Sequence, residues 1–295
     1  MTARRRLVAA AIAALVVLPA QAADDAQLKR GEYLFHAGHC TSCHTDTKSN
    51  GAVLAGGRAI KTPFGVFYGP NITPHREAGI GKWTESDFVR AMREGIGPGG
   101  THLFPVFPYT SFTFMTDADL KDLYAYIVAA PPSDKASRPH DVRFPFNIRL
   151  LQIGWRMLNF TPGPFEPDPG LSAEVNRGAY LVRAVTHCGE CHTQRNAMGG
   201  LKTSMWLAGT RDGPEGETAP NITPDADTGI GKWSAKDIAF YLEAGIDPDN
   251  DFAGSLMGEV VKNSTSKLTA ADRAAIAAYL KAIPPVANKV RRGQP

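Results

Sequence analysis

The sequence lacks several features that commonly indicate a protein's class. It has four cysteines among 295 residues and a formal net charge of only +3, so it carries no strong basic excess. Neither nucleic acid nor an anionic membrane surface is therefore indicated as a partner. After residue 18 no apolar run is long enough to span a bilayer. The P-loop, H-E-x-x-H and G-x-S-x-G motifs are also absent, which excludes the commonest signatures of nucleotide, zinc-protease and serine-hydrolase chemistry.

The first 22 residues have the composition of a secretory signal peptide. Three arginines precede an apolar run from Leu7 to Leu18 and a small-x-small cleavage site, Ala20-Gln21-Ala22. The apolar run is too short for a stable membrane span. Cleavage after Ala22 removes those three arginines and leaves equal numbers of acidic and basic residues. We therefore expect a mature chain that is exported to the periplasm, soluble or peripherally associated, and without a transmembrane anchor.

All four cysteines lie in two copies of one short motif, Cys40-Thr41-Ser42-Cys43-His44 and Cys188-Gly189-Glu190-Cys191-His192. C-x-x-C-H is the attachment signature of c-type haem. The two thiols add to the vinyl groups of one porphyrin, and the histidine reaches the iron as proximal ligand. One copy alone could be half of a zinc site or a thioredoxin-like redox pair. Two copies, behind an export signal and with no other cysteine, favour two covalently attached haem c groups. Their attachment residues are Cys40, Cys43, Cys188 and Cys191, and the iron ligands are His44 and His192.

The two motifs belong to an internal repeat. Arg30-Gly31-Glu32-Tyr33-Leu34 returns as Arg177-Gly178-Ala179-Tyr180-Leu181. The segments P-N-I-T-P, starting at 70 and 220, and G-I-G-K-W, starting at 79 and 229, also occur twice. The repeat predicts two tandem domains, residues 23–132 and 171–288. A linker over 133–170 joins them, and a tail follows over 289–295.

Each copy has the pattern of a few helices joined by irregular loops. A first helix is predicted over residues 26–36, and a second begins after Thr84 and ends at Gly95. A last helix follows the N-cap signature at Thr116, with Thr269 as its counterpart in the second copy. Residues 51–74 are rich in glycine and proline and predict a loop. No convincing strand alternation is present, so the chain is predicted to be mainly α.

The linker combines six prolines with an apolar stretch that runs from Ile148 to Leu158. Prolines restrict the backbone, and apolar side chains favour burial. The linker is therefore predicted to contain a short helix packed between the two domains, which would hold the two haems at a fixed distance.

In these segments the chain resembles the cytochrome c subunits of bacterial membrane-linked alcohol, gluconate and sorbitol dehydrogenases. The matching pieces are both attachment motifs, both P-N-I-T-P loops, both G-I-G-K-W segments, His102-Leu103-Phe104-Pro105 and Pro162-Gly163-Pro164-Phe165. The resemblance implies two tandem class I cytochrome c-like domains joined by a proline-rich, partly helical linker. Those subunits usually carry three haems and a C-terminal membrane anchor, whereas this sequence has two attachment motifs. The resemblance also implies redox-protein partners, with a dehydrogenase as electron donor and a cytochrome or oxidase as acceptor. Both a docked complex and a diffusing partner stay open.

The resemblance further implies a distal iron ligand in each domain, usually a methionine before the last helix. Met257 falls at this position in the second domain. In the first domain the family often has A-M-P-Y where this chain has Val106-Phe107-Pro108-Tyr109, and phenylalanine cannot ligate iron. Met115, directly before the last helix, is the predicted ligand there, although it aligns with Leu268, an ordinary hydrophobic position. His102 and an open iron are the alternatives.

Two functions follow from these ligand sets. If both axial positions are filled, each haem exchanges electrons and binds no substrate. The chain would then not be an enzyme, but would relay electrons from a dehydrogenase to a downstream cytochrome, quinone or terminal oxidase. An open iron in the first domain instead favours a two-haem peroxidase-like enzyme. A two-haem thiosulfate dehydrogenase with a cysteine as distal ligand is excluded because no cysteine is left over.

Overall fold

The computed structural model describes residues 23–290 and folds them into two helical lobes and a linker. The predicted signal peptide and residues 291–295 lie outside the described residues. We call residues 23–132 lobe 1 and residues 171–288 lobe 2. The helices of lobe 1 are α1 (Asp25–Ala37), α2 (Cys40–His44), α3 (Glu85–Glu94), α4 (Tyr109–Phe112) and α5 (Asp117–Val128). The linker contributes α6 (Leu151–Asn159). The helices of lobe 2 are α7 (Ala173–Tyr180), α8 (Gly189–His192), α9 (Ala235–Ala244), α10 (Ser255–Asn263) and α11 (Ala270–Ala282). The prediction of a mainly α chain is confirmed.

The predicted helix ends are confirmed by their capping bonds. The Thr84 side chain accepts a hydrogen bond from the backbone N–H of Asp87, whose carboxylate accepts one in return from the Thr84 backbone. This capping box starts α3, and Gly95, in a left-handed conformation, ends it. Thr116 and Thr269 cap α5 and α11 with the same kind of side-chain bond. These signals were readable from the sequence because each involves residues only a few positions apart.

The first and last helices of each lobe cross at a glycine. Helix α1 packs against α5, and α7 packs against α11. A Cβ at Gly31 would collide with the backbone carbonyl of Asp122, and one at Gly178 would collide with that of Ala275. The repeated Arg-Gly-x-Tyr-Leu segment therefore contains glycine because the two helix backbones approach closely.

A small sheet that the sequence pattern did not predict is shared between lobe 1 and the start of the linker. Strands β1 (Ala59–Thr62), β2 (Gly65–Tyr68) and β3 (Asp141–Val142) pair antiparallel in that order, with Ala59 opposite Tyr68 and Gly65 opposite Val142. The strands have only four, four and two residues, and most of their side chains are partly exposed. No alternating apolar pattern can develop over such lengths. The sheet fastens the start of the linker to lobe 1.

The two lobes meet through reciprocal contacts of equivalent residues. The Tyr33 hydroxyl donates to Asp272 of lobe 2 at 2.6 Å, and the Tyr180 hydroxyl donates to Asp119 of lobe 1. Each tyrosine oxygen also accepts from the backbone N–H of the opposite N-cap threonine, at 3.2 Å and 3.1 Å. The tyrosine of each lobe thus contacts the aspartate of the other lobe, and such reciprocal contacts of equivalent residues are typical of a two-fold interface. Most of the buried apolar side chains of both lobes form one continuous cluster, and Phe67, Phe104 and Val142 form a second, smaller one.

The linker helix is present, but the prediction that it packs between the lobes is wrong. The Arg149 guanidinium before it donates to the carbonyl of His102 in lobe 1, and the Trp155 indole donates to the carbonyl of Met198 in lobe 2. However, Leu150, Met157 and Leu158 are 70%, 81% and 72% exposed. Helix α6 therefore lies across the surface of both lobes, with much of its apolar side facing solvent.

Among residues 23–290, no helix combines the length and the apolar character that crossing a bilayer requires.

Candidate haem centres

The two attachment motifs form short helices that present the same histidine geometry. Helix α2 contains all five residues of the first C-x-x-C-H motif, whereas Cys188 of the second motif is the N-cap residue of α8. None of the four cysteines forms a disulfide. Residues three apart lie on the same side of a helical turn, so both thiols of each motif are available to a single porphyrin. The Nδ1 atoms of His44 and His192 lie 2.8 Å from the backbone carbonyls of Pro70 and Pro220. A carbonyl at this distance requires a proton on Nδ1 and leaves the Nε2 lone pair free for a metal.

The carbonyls of Pro70 and Pro220 are themselves held in place by the asparagine that follows each of them. The Asn71 amide donates to the carbonyls of Ser133 and Lys135, both at 2.8 Å. The Asn221 amide donates to the carbonyl of Val286 at 2.8 Å. Each side-chain oxygen accepts from the threonine two residues on. Sequence reasoning missed the role of the proline carbonyls, although the repeated Pro-Asn lies 26 and 28 residues after the two histidines.

Burial keeps these groups in their neutral forms. It lowers the pKa of both His44 and His192, and the proline carbonyls offset this only in part. It raises the pKa of Cys40 and Cys191 to about 12 and that of Cys43 to about 11. Protonated thiols are poor metal ligands and nucleophiles. Within the described range there is also no group of three or more His, Cys, Asp or Glu side chains placed to hold a metal ion.

A pair of contacting histidine rings, tilted by 40° to each other, joins the two motifs across the lobe interface. His39 and His187 each precede the first cysteine of their motif, and their ring centroids lie 4.6 Å apart. Both have left-handed backbone conformations, with φ of 34° and 38°. Burial lowers the pKa of His39 to about 3, and the neighbouring His187 contributes to this shift. Two neutral rings therefore connect the peptide segments that carry the two haem attachments.

Glu190, inside the second motif, ties lobe 2 to lobe 1. Its carboxylate accepts from the hydroxyls of Thr110 and Ser111 in lobe 1 at 2.7 Å and 2.8 Å, and from Arg195 at 2.6 Å. Burial by itself raises the pKa of this carboxyl, but Arg195 and the two hydroxyls outweigh it, and the net pKa lies below its usual value. Glu190 is only 8% exposed, so it is a buried charge that is fully paired.

The distal candidates differ between the lobes. Isolated bridges pair Ile96 with His102 and Ile246 with Phe252, which aligns the two loops at a constant offset and places Phe107 opposite Met257. Both of these side chains are partly buried against the core. Met257 lies in α10, a helix of nine residues, whereas Phe107 precedes α4, a helix of four.

The two candidate ligands of lobe 1, Met115 and His102, lie at other positions of the chain than Phe107. Met115 is 1% exposed, and its counterpart Leu268 is 4% exposed. The His102 ring lies 3.5 Å from the guanidinium of Arg156 in the linker helix. The roles of Met115, His102 and Met257 as iron ligands stay predictions.

Each lobe presents a pair of thiols and a neutral, oriented imidazole. This arrangement fits one covalently held haem in each lobe, and it defines the class of two-haem electron-transfer proteins. Comparison with known proteins agrees. The cytochrome c family model matches twice, over residues 28–131 and 175–284. The chain belongs to the cytochrome c family.

Three relatives show how far the similarity extends. A diheme cytochrome c-type protein of Cereibacter sphaeroides is 47% identical over 264 residues, covering 88% of this chain and 87% of the relative. The fructose dehydrogenase cytochrome subunit of Gluconobacter japonicus is 40% identical over 277 residues, covering 91% of this chain but 56% of the relative. The gluconate 2-dehydrogenase cytochrome c subunit of Pantoea cypripedii is 37% identical over 270 residues, covering 88% of this chain and 60% of the relative. The chain thus spans most of the first relative and only part of the other two.

These comparisons confirm the predicted resemblance, the fold of two tandem cytochrome c domains and the cofactor, two covalently attached haem c groups.

Proposed function

We propose that this chain is an exported, periplasmic two-haem electron carrier that is not itself an enzyme. It takes electrons from a dehydrogenase and passes them to a downstream cytochrome, quinone or terminal oxidase. The observation that carries the proposal is the duplication of one histidine geometry, with the same 2.8 Å bond to a proline carbonyl in both lobes. Relatives that are named as cytochrome subunits of dehydrogenases support a dehydrogenase as donor. When bound, the haem supplies one-electron oxidation and reduction.

The protein residues contribute orientation and rigidity. The carbonyls of Pro70 and Pro220 hold each imidazole in one tautomer and one direction, which raises its basicity as a ligand. Asn71 and Asn221 keep those carbonyls from moving. The shared core and the Tyr–Asp contacts hold the two lobes in one arrangement. A site that changes its charge with little movement is suited to carrying electrons rather than to binding substrate.

We propose His44 and His192 as proximal iron ligands and Met257 as the distal ligand of lobe 2. Met115 is the proposed distal ligand of lobe 1. Because Phe107 replaces the methionine at the position of Met257, the two irons have different surroundings, and we expect two different midpoint potentials. That difference gives the relay a direction.

The test uses holoprotein from a host that matures c-type cytochromes. Potentiometric titration followed by absorption should resolve two midpoints, and near-infrared magnetic circular dichroism should report methionine ligation. Neither haem should bind cyanide rapidly in the oxidised protein. Rapid cyanide binding by one haem, together with turnover of peroxide, would overturn the carrier and support the peroxidase-like alternative. Export is tested separately, since periplasmic protein should begin at Ala23.

A further inference from the structure

Helix α6 is amphipathic, but its apolar side faces away from the protein. At about 100° per residue, Leu150, Leu151, Ile153, Met157 and Leu158 form one outward stripe, and all five are at least 40% exposed. The opposite side carries Gln152, Trp155, Arg156 and Asn159, which are buried or half-buried against the lobes. A surface helix normally buries its apolar stripe. The reversed orientation therefore requires an explanation outside this chain.

The exposed apolar surface extends beyond the helix. Of the thirteen large apolar side chains that are exposed among the described residues, eight lie between Phe144 and Leu158. At roughly 150–250 Å² for a fully exposed aromatic residue and slightly less for an aliphatic one, they expose about 800 Å². The largest apolar patch of a typical monomer covers about 300–600 Å², and a standard interface uses about 800 Å² of each partner. The patch is large enough for a stable interface.

The composition of this surface is that of a protein interface. Residues 143–158 contain phenylalanine, tryptophan, methionine and three arginines, and they contain no lysine, aspartate or glutamate. Aromatic residues, methionine and arginine are enriched in protein interfaces, whereas lysine and the acidic residues are depleted.

The arginines argue against a lipid surface as the occupant. The Arg149 guanidinium lies 4.6 Å from the Phe104 ring centroid and donates to the His102 carbonyl. The Arg156 guanidinium lies 3.5 Å from the His102 ring and 5.7 Å from the Phe160 ring centroid. Two of the three arginines are therefore held against lobe 1 and the linker. A helix that binds an anionic membrane needs its cations free to reach the headgroups.

We propose that residues 144–158 are the docking surface for a permanently associated protein subunit. Its contact face should be apolar, with an acidic group opposite the exposed Arg143. Permanent interfaces are large and apolar, whereas transient redox encounters are small. Of the two partners in the proposed function, on which this inference rests, the size of the patch selects the dehydrogenase rather than the mobile acceptor.

The position of the surface indicates which lobe receives the electron. On the inner side of α6, the Trp155 ring packs edge-on against Tyr109, with centroids 6.4 Å apart. The Tyr109 ring centroid lies 6.5 Å from that of Phe107, the counterpart of Met257. A subunit docked on α6 is thus separated from the Phe107 side of lobe 1 by a layer of aromatic side chains. Electrons should enter through lobe 1.

The test compares a triple variant, Leu150→Glu, Met157→Glu and Leu158→Glu, with a control, Val53→Glu and Phe240→Glu. The control residues are 59% and 52% exposed and lie outside the patch. Both proteins are produced with their haems in a strain of the source organism that lacks the native gene. Dehydrogenase substrates are then added to cell extracts, and haem reduction is followed. The triple variant should be reduced at least tenfold more slowly than wild type, whereas the control should match wild type. Reduction by ascorbate should be equal in all three.

A photo-crosslinking amino acid at position 157 should yield an adduct with a dehydrogenase subunit by mass spectrometry, and one at position 240 should not. Equal reduction rates, with no such adduct at position 157, would overturn the docking surface while leaving the carrier function intact. If no substrate reduces wild type, the proposed function itself fails.

Two further measurements test whether a second copy of this chain or a membrane covers the surface instead. Purified holoprotein should sediment as a monomer, and it should not co-sediment with vesicles of phosphatidylglycerol and phosphatidylethanolamine. Dimerisation or vesicle binding that the triple variant abolishes would overturn the proposal in favour of a second copy or a membrane.

Discussion

Lobe 1 and lobe 2 hold the histidines proposed as proximal ligands in the same way and build their distal sides differently. In both lobes a proline carbonyl lies 2.8 Å from the histidine Nδ1, and an asparagine braces that proline. On the other side, lobe 1 has Phe107 and a helix of four residues where lobe 2 has Met257 and a helix of nine. Covalent attachment fixes the spacing of thiols and histidine, so the proximal half has little freedom to diverge. The distal half has more freedom to diverge, and a change there can produce a difference between the midpoint potentials of the two haems.

A second difference lies within the attachment motifs. The residue before the second cysteine is Ser42 in lobe 1 and Glu190 in lobe 2. Ser42 makes one weak contact, accepting from the Asn263 amide at 3.3 Å. Glu190 accepts three hydrogen bonds and carries a buried charge. The lobes are therefore joined asymmetrically at the motifs and symmetrically at the Tyr–Asp contacts.

The largest expected effect comes from removing one attachment site. The double variants Cys40→Ala with Cys43→Ala, and Cys188→Ala with Cys191→Ala, should each retain one covalent haem instead of two, because each motif serves one porphyrin. Intact-mass spectrometry of purified protein measures this directly. Two haems remaining in either double variant would contradict the assignment of one haem to each lobe.

Next in size is the effect of Glu190→Gln, which leaves Arg195 without its charged partner and should destabilise the holoprotein by about 3 kcal/mol at neutral pH. Since the folded pKa of Glu190 lies below its usual value, its stabilising contribution is present above the unfolded pKa of about 4.3. It is lost as the pH falls through the folded value. The difference between variant and wild type in urea unfolding should shrink below that pH.

The matched control for Glu190 is Ser42→Ala at the equivalent position, with an expected cost of about 0.5–1 kcal/mol. If both substitutions lowered the free energy of unfolding equally, the two motifs would contribute equally to the lobe interface.

The distal sides are compared with Met257→Leu and Met115→Leu. Each should remove the near-infrared signal of one methionine-ligated haem and shift one midpoint potential by an amount on the order of 0.1 V, since axial ligands dominate haem potentials. A normal spectrum for Met115→Leu would exclude Met115 as a ligand. His102→Phe and cyanide binding would then separate a bis-histidine iron from an open one.

The last comparison tests the two-fold symmetry of the lobe interface. Tyr33→Phe and Tyr180→Phe each remove a hydrogen bond to a carboxylate across the interface, and each should cost about 1.5 kcal/mol in urea unfolding. If the contacts are equivalent, the two costs should agree within about 0.5 kcal/mol. If only one of the two variants were destabilised, the two tyrosine contacts would not be equivalent.

The parts of this protein that the sequence predicted are those set by residues close together in the chain. The caps at Thr84, Thr116 and Thr269 and the number of covalent haems are of this kind. The roles of Pro70 and Pro220 were not predictable, because backbone carbonyls leave no mark in residue type. The pairing of His39 with His187 depends on how the lobes meet, which no local pattern encodes.

The orientation of α6 was mispredicted for a different physical reason. Its apolar stretch was expected to be buried within this chain, since burial of apolar surface drives folding. The same force drives association, and sequence alone does not separate the two. Leu150, Met157 and Leu158 differ from core residues only in what covers them.

The reciprocal tyrosine contacts have a consequence for how the two irons can be tuned. In a dimer of identical one-haem subunits, any substitution alters both copies at once, so both metal environments must change together. Here the same two-fold contact is made within a single polypeptide, and each half has its own codons. A change such as phenylalanine for methionine can therefore affect one centre and leave the other as it was, while the contact that holds them together stays symmetric.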